Sequence, residues 1–332
     1  MSSPTHETFD LGPHKDITRL WCGLWQLSSN AWGSAPVPRI RKCMGEHVDL
    51  GFTAFADHYG SAEIIFGQFR KSLPVPDTVI GATKWCVFKP TIPSRAVVEA
   101  AVRERLARMQ TEHVDLLQFH WQDYADKGYL TALEILDDLR GEGLVSAIGL
   151  CNFDTIRTDE ICTQLGPGII VSNQVQFSLI DTRPLHGMTD VCRRHGVKLL
   201  VYGTLVNEPE PDLYSGQLTP SQRKYLDMIV KAWGNWALFQ RLLRCLRGIG
   251  DRHGGISIAN IATRWVLDQD AVGAVLVGAR LGLSDHLDDN LKVFQPECRL
   301  TREDREAIEN VLAYSNGRKI ITTIGDCGAE YR

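Results

Sequence analysis

Short apolar runs of strand length recur along this chain, and each is followed by a longer segment with helical spacing and a polar face. That rhythm constrains the fold more than any single residue does, because a strand, a covering helix and a second strand return the chain to a parallel sheet. The spacing predicts strands over Leu20–Leu27, Phe52–Ala56, Thr78–Thr83, Val114–Phe119, Val145–Leu150, Ile169–Val175, Lys198–Tyr202 and Ala274–Val277. Eight parallel strands are the number that closes a barrel. Helices are expected over Arg39–Leu50, Ala62–Lys71, Ser94–Met109, Leu130–Arg140, Thr155–Leu165, Leu185–His195 and Ile256–Leu267, with Ser94, Asp154 and Ser257 as capping residues. Thr219–Gly250 reads as a long helical insertion after the seventh strand, and Thr301–Ala313 as a further helix after the eighth. The fold class is therefore α/β, a (β/α)8 TIM barrel, with residues 1–332 forming one domain. A doubly wound nucleotide-binding sheet would carry G-x-G-x-x-G between its first strand and helix. Gly141 and Gly143 begin such a pattern, but Ser146 fills its last place and the segment precedes a strand.

Composition removes several functions. With 36 Lys and Arg against 40 Asp and Glu, the net charge is -4 and no basic cluster stands out, so nucleic acid is not an expected partner. No run approaches the roughly 20 apolar residues that span a bilayer, so no membrane segment is expected. The nine cysteines are scattered without a CxxC pair and read as reduced thiols, which makes the cytoplasm the expected compartment. No His-x-His or Glu-x-x-His pair sits at a strand end, so no metal site is expected.

In a parallel barrel the chemistry gathers at the C-terminal ends of the strands. Three polar residues stand there: Tyr59 in Phe-Ala-Asp-His-Tyr-Gly, Lys84 in Gly-Ala-Thr-Lys-Trp, and His120 in Gln-Phe-His-Trp. A phenol titrates near pH 10, so it gives up a proton readily only beside a cation, and Lys84 is available for that role. An imidazole such as His120 can then orient a carbonyl oxygen by a hydrogen bond.

The motifs Asp-Leu-Gly-Phe-Thr (49–53), Ala-Asp-His-Tyr-Gly-Ser-Ala-Glu (56–63), Thr-Lys (83–84), Gly-Leu-Cys-Asn-Phe (149–153), Asn-Gln-Val-Gln (173–176) and Val-Gly-Ala-Arg (277–280) follow one another in an order that resembles the aldo-keto reductase superfamily. The resemblance covers Leu20 to Phe294. It implies a Tyr, Lys, His and Asp tetrad, with Tyr59 as proton donor and hydride coming from NADP(H). It also implies that Cys151, Asn152 and Gln174 bind the nicotinamide amide and that Tyr202 stacks on its ring. Gly278 is among the cofactor-binding residues it implies, and Arg280 would meet the 2′-phosphate, for which a guanidinium is suited. Asp289 and Asn290 would reach the adenine end.

Two departures from the family pattern fall at the catalytic rim. The family aspartate sits five residues before the tyrosine, where this chain has Ala54; aligned on Phe55 instead, two residues are missing before Ala56, the aspartate among them. Asp57 shares a strand face with Tyr59 if alternation holds, and is the residue expected to replace it. After Tyr-Gly-Thr-Leu (202–205) the chain runs into Val-Asn-Glu-Pro (206–209), where relatives carry a glycine-rich loop. The expected function is reduction of an aldehyde or ketone by NADPH, with a likeness to fungal reductases of secondary metabolism. Trp25, Trp32, Trp85 and Trp121 near strand ends suggest aromatic walls for a bulky apolar substrate. The alternative is a catalytically weakened, cofactor-binding regulatory subunit on the same scaffold.

Overall fold

The computed structural model describes residues 6–28, 33–58, 60–204, 226–284 and 286–332, and the side chains at positions 57, 58 and 318 are outside that description. Its first element is a hairpin that the sequence reading did not anticipate: β1 (Thr8–Leu11) pairs antiparallel with β2 (His14–Thr18). The turn is Gly12-Pro13. Gly12 supplies a φ of +59° that L side chains disfavour, and Pro13 brings a fixed φ to the second position.

Eight parallel strands then close a ring in the order β10-β3-β4-β5-β6-β7-β8-β9. They are β3 (Leu20–Gly23), β4 (Ala54–His58), β5 (Ile80–Val87), β6 (Val114–Trp121), β7 (Val145–Cys151), β8 (Ile170–Gln176), β9 (Lys198–Tyr202) and β10 (Val272–Gly278). The helices α1 (Val37–Asp49), α2 (Ser61–Ser72), α3 (Arg95–Met109), α4 (Gly128–Gly141), α5 (Thr155–Leu165) and α6 (Met188–His195) follow successive strands from β3 onward. Between β9 and β10 the described residues hold a π-helical turn at Met228–Trp233, then α7 (Trp236–Arg252) and α8 (Ile258–Leu267). The chain continues through α9 (Leu287–Asn290), α10 (Arg302–Leu312) and α11 (Ile320–Ile324). Ser94, Asp154 and Ser257 cap α3, α5 and α8 as expected, each side chain accepting from a backbone N–H three residues on.

Boundaries shift where tertiary pairing overrides local pattern. Leu20–Leu27 is not one strand; β3 stops at Gly23 and Trp25–Ser28 turns as a 3-10 helix. Strand β5 runs four residues past Thr83, because β6 extends to Trp121 and the two pair through Lys84↔Gln118, Cys86↔His120 and Val87↔Trp121. Lys84 therefore lies inside its strand and not at its end. Leu185–His195 is also not continuous: a 3-10 turn at Arg183–Leu185 and Gly187 at φ +121° separate it from α6. In the insertion, the chain is extended at Gly234 and Asn235 and restarts α7 with an Asn235 cap. Positions 219–225 of the insertion lie outside the described residues.

The strands are buried on both faces. Outward side chains such as Phe55, Phe119 and Val175 join the helices in the larger core, whereas Ala54, Ala82, Leu116, Ala147 and Leu200 fill the ring. The hairpin seals the ring from below: Leu11 and Ile17 join the same interior cluster as Trp21, and Phe9 lies 6.4 Å from the Trp21 ring. Access to the interior is thus left to the C-terminal end.

A buried ion pair braces this architecture near the N-terminal ends of the strands. Arg70 of α2 donates to both oxygens of Asp115 on β6 at 2.6 and 3.1 Å, and the Gly81 amide of β5 adds a 2.8 Å bond. Burial alone would raise the Asp115 carboxyl, but His113, Arg70 and Gly81 outweigh it and hold it below its ordinary value. Removing Asp115 leaves the buried Arg70 guanidinium with only the exposed Asp77 carboxylate at 3.0 Å and the Pro76 carbonyl at 3.1 Å. Asp115→Ala should lower unfolding stability by about 3–5 kcal/mol in guanidinium titration; a loss under about 1 kcal/mol would show that the pair does not brace the barrel.

Candidate functional site

Side chains from β5 to β9 converge toward the open mouth. Strand β6 brings His120, 2% exposed, and β5 brings the buried Lys84, whose charge acts on the imidazole. Strand β7 ends in Cys151, and the next residue, Asn152, takes a left-handed φ of +58°, a conformation Asn tolerates better than most residues. The Asn152 amide N–H is held by the Gln174 carbonyl at 2.8 Å, and the Cys151 thiol points at Gln174 Oε1 at 3.9 Å. Tyr202 at the end of β9 completes the group, its hydroxyl 3.0 Å from Asn152 Oδ1.

His120 Nδ1 lies 3.0 Å from the Cys151 carbonyl oxygen, which can only accept, so Nδ1 carries the hydrogen. In the neutral ring Nε2 is then a bare acceptor. Burial pushes the His120 pKa down to about 4, with the Arg332 guanidinium and Lys84 ammonium also opposing protonation against the Cys151 bond. A neutral His120 thus receives a hydrogen bond at the mouth and gives one only when protonated.

The other sequence-derived residues divide. Gly278 ends β10 opposite Gly23, and Arg280 follows on the same rim, exposed and donating to Ser284 Oγ at 3.0 Å. Asp289 and Asn290 sit on α9, where Asp289 accepts from Ser257, the cap of α8, at 2.8 Å. Tyr59 lies outside the described residues, as do the side chain of Asp57 and the segment 205–225. The backbone around Asp57 is informative: Ala56 pairs with Ala82 and His58 with Thr83, so the ladder slips by one residue at Asp57 and strict alternation toward Tyr59 is interrupted there.

Only one of the four expected wall tryptophans lines the mouth among the described residues. Trp85 and Trp121 point away from the mouth and pack on Phe119 in the core, at 5.2 and 5.9 Å. Trp32 lies outside the described residues. Trp25 does line the mouth cavity of about 350 Å³, together with Cys86, Phe88, His120, Asn152 and Tyr331. Phe88, 64% exposed, escaped the sequence reading because β5 was expected to end before it. Tyr331 was beyond it altogether, since nothing local connects that residue to a strand end.

Among the described residues no group of His, Cys, Asp or Glu could hold a metal ion, and no helix is long and apolar enough to cross a membrane. Two buried polar atoms of the rim, Gln176 Nε2 and Thr204 Oγ1, have no hydrogen-bond partner among those residues. A ligand with amide and hydroxyl groups fits such a rim.

Residues 19–313 match the Aldo/keto reductase family, and the chain belongs to it. It is similar to Aldo-keto reductase YhdN of Bacillus subtilis (strain 168), 26% identical over 283 residues that cover 80% of this chain and 82% of the relative. It is also similar to the NADH-specific methylglyoxal reductase of Escherichia coli (strain K12), 23% identical over 325 residues, 88% of this chain and 96% of that protein. Among solved structures, the aldo-keto reductase from Klebsiella pneumoniae in complex with NADPH superposes with a TM-score of 0.69 at 19% identity, covering 93% of this chain and 95% of that one. The thermostable aldo-keto reductase Tm1743 gives the same TM-score at 22% identity, over 92% and 99% of the two chains.

A buried imidazole that stays neutral when folded has a signature in acid. The unfolded chain takes up the proton near the ordinary pKa of 6.5 and the folded chain only near 4. This contribution is therefore intact above pH 6.5 and is lost as the pH falls from there toward 4. The wild type should lose about 2–3 kcal/mol more than His120→Asn between pH 7 and pH 4.5 in urea titrations. Parallel losses in the two proteins would mean that His120 does not carry this shift.

Proposed function

We propose that this chain is a reductase of aldehydes or ketones that uses NADP(H), with the whole chain acting as one barrel domain. The observation that carries the reading is the convergence of Lys84, His120, Cys151, Asn152, Gln174 and Tyr202 on one mouth of a closed barrel in a member of this family. NADPH, when bound, supplies the hydride. Every other part of the reaction falls to the protein.

Tyr59 is the proton donor to the carbonyl oxygen, and Lys84 lowers the cost of its ionisation. His120, buried and neutral, offers Nε2 as an acceptor that orients the donor hydroxyl, and its fixed Nδ1 bond keeps the ring from turning. Asp57 is the carboxylate nearest in sequence to Tyr59 and partly replaces the missing family aspartate. Asn152 and Gln174, with Cys151, hold the carboxamide, and Tyr202 offers a flat face to the ring. Gly278 lets the backbone approach closely, Arg280 takes the 2′-phosphate, and Asp289 and Asn290 receive the adenine end. Trp25 and Phe88 exclude water at the entrance and favour an apolar carbonyl compound, in keeping with a role in secondary metabolism. Nine free thiols suit a cytoplasmic setting.

The missing aspartate and the slipped ladder at Asp57 favour a second reading, a cofactor-binding subunit without turnover. Stopped NADPH oxidation with an aldehyde panel separates the two: binding of NADPH without oxidation at high enzyme concentration identifies the second. For the first, Tyr59→Phe should remove most carbonyl reduction and retain NADPH affinity; wild-type turnover in that variant would exclude Tyr59 as the donor. The relative from Escherichia coli is named as NADH-specific, so the phosphate contact is tested directly. Arg280→Ala should weaken NADPH about tenfold more than NADH, a difference of about 1.4 kcal/mol; equal weakening of both would remove Arg280 from the phosphate site.

A further inference from the structure

We propose that residues 326–332 form a strap that occupies the nicotinamide end of the cofactor site, so that the dinucleotide binds only molecules whose strap has withdrawn. The inference rests on the cofactor site assigned above. Its own basis is the set of contacts that tie this segment to Asn152, Tyr202 and His120.

The strap has a firm base. Arg183, fully buried between β8 and α6, pairs with Asp181 at 2.7 Å and reaches across to the Glu330 carboxylate at 2.7 Å and the Asp326 carbonyl at 3.1 Å. The Asp326 carboxylate accepts from the Thr155 amide at the start of α5 at 2.8 Å, and the side chain of Cys327 is buried. Gly328 has a φ of +76° and lies so close to the Asn152 carbonyl that a Cβ would collide with it. Any other residue there would hold the strap away from β7.

The tip lies on the residues a nicotinamide would need. The hydroxyl of Tyr331 is 3.0 Å from that of Tyr202, which has a single hydrogen to give and is equally close to Asn152 Oδ1. The Asn152 side chain and the Tyr202 hydroxyl are thus joined in one chain of hydrogen bonds ending on the strap. Arg332 donates to the Asn152 carbonyl at 2.5 Å and to the Tyr124 hydroxyl, with its guanidinium 4.1 Å above the Tyr124 ring. Its other terminal nitrogen is 3.4 Å from His120 Nε2, the acceptor left bare by the Cys151 bond. Tyr331 itself forms a wall of the remaining cavity, edge-on to His120. A nicotinamide amide bonded through Asn152 must compete with the hydrogen-bonded chain that joins Asn152 and Tyr202 to Tyr331.

The grip is uneven, and that makes release local. Base residues Arg183 and Cys327 are buried, whereas Tyr331 is half-buried and Arg332 exposed. Among the described residues no carboxylate lies within 4.0 Å of the Arg332 guanidinium, so the tip is held by neutral acceptors and ring faces. Apparent cofactor affinity then equals the intrinsic affinity multiplied by the fraction of open molecules. A strap closed nine-tenths of the time weakens binding about tenfold.

The test uses the full chain. NADPH is titrated by fluorescence against the wild type, a Tyr331→Ala/Arg332→Ala double variant that removes the tip, and Glu330→Gln, which loosens the base without touching the cavity. Amide hydrogen exchange of residues 326–331 and of Thr155 is followed with and without NADPH. The expected results are at least tenfold tighter NADPH binding by the double variant, a smaller gain for Glu330→Gln, and faster exchange in the segment when NADPH binds the wild type. Unchanged or weaker binding by both variants, or slower exchange on NADPH addition, overturns the strap and leaves the cofactor site standing. If none of the three proteins binds a dinucleotide, the cofactor assignment fails and the strap with it.

Discussion

Everything at the mouth depends on the ladder that closes the ring. Gly278 of β10 meets Gly23 of β3, and from that seam the stagger of each strand fixes which residues rise to the rim. The pairing of β5 with β6 is the longest of the eight and places Cys86 beside His120 and Lys84 beside Gln118. A one-residue slip of β6 there would turn His120 out toward the helices and bring Phe119 into the ring, and the same slip of β5 would exchange Lys84 for Trp85. Both aromatic residues belong to the outer core, so the cost of such a slip protects the geometry of the site.

The rim then gains its chemistry from dryness. Burial keeps the imidazole neutral, and the Arg332 guanidinium and the Lys84 ammonium add to that effect. The Cys151 carbonyl decides the rest by claiming one of the two ring nitrogens. Burial also pushes the Tyr124 phenol up to about 12, and the Arg332 guanidinium lies over its ring.

What the sequence made legible was what is local. Strand and helix alternation and the caps at Ser94, Asp154 and Ser257 are written within short windows, and the structure bears them out. The length of β5 was not legible because it depends on its partner β6, and with it went Phe88 and the inward position of Lys84. Trp85 and Trp121 looked like walls because position along a strand is visible in sequence, whereas the face depends on register. The contact of His120 with Arg332 spans 212 positions, and the hairpin plug depends on a barrel floor that exists only once all strands have met. Neither leaves a periodic trace.

The hairpin has a further consequence for how the molecule comes together. Arg19, which links it to the first barrel strand, donates to the carbonyls of Leu267, Val272 and Gly273, and Val275 donates back to the Arg19 carbonyl. The segment around Arg19 is therefore completed by one synthesised some 250 residues later. Until β10 arrives, β3 and β9 both present unpaired edges and the floor of the ring has no ceiling to press against. Assembly is consequently a late, cooperative act in which two segments far apart in the chain must meet, and a chain interrupted before that meeting is left with adhesive borders in place of a closed wall.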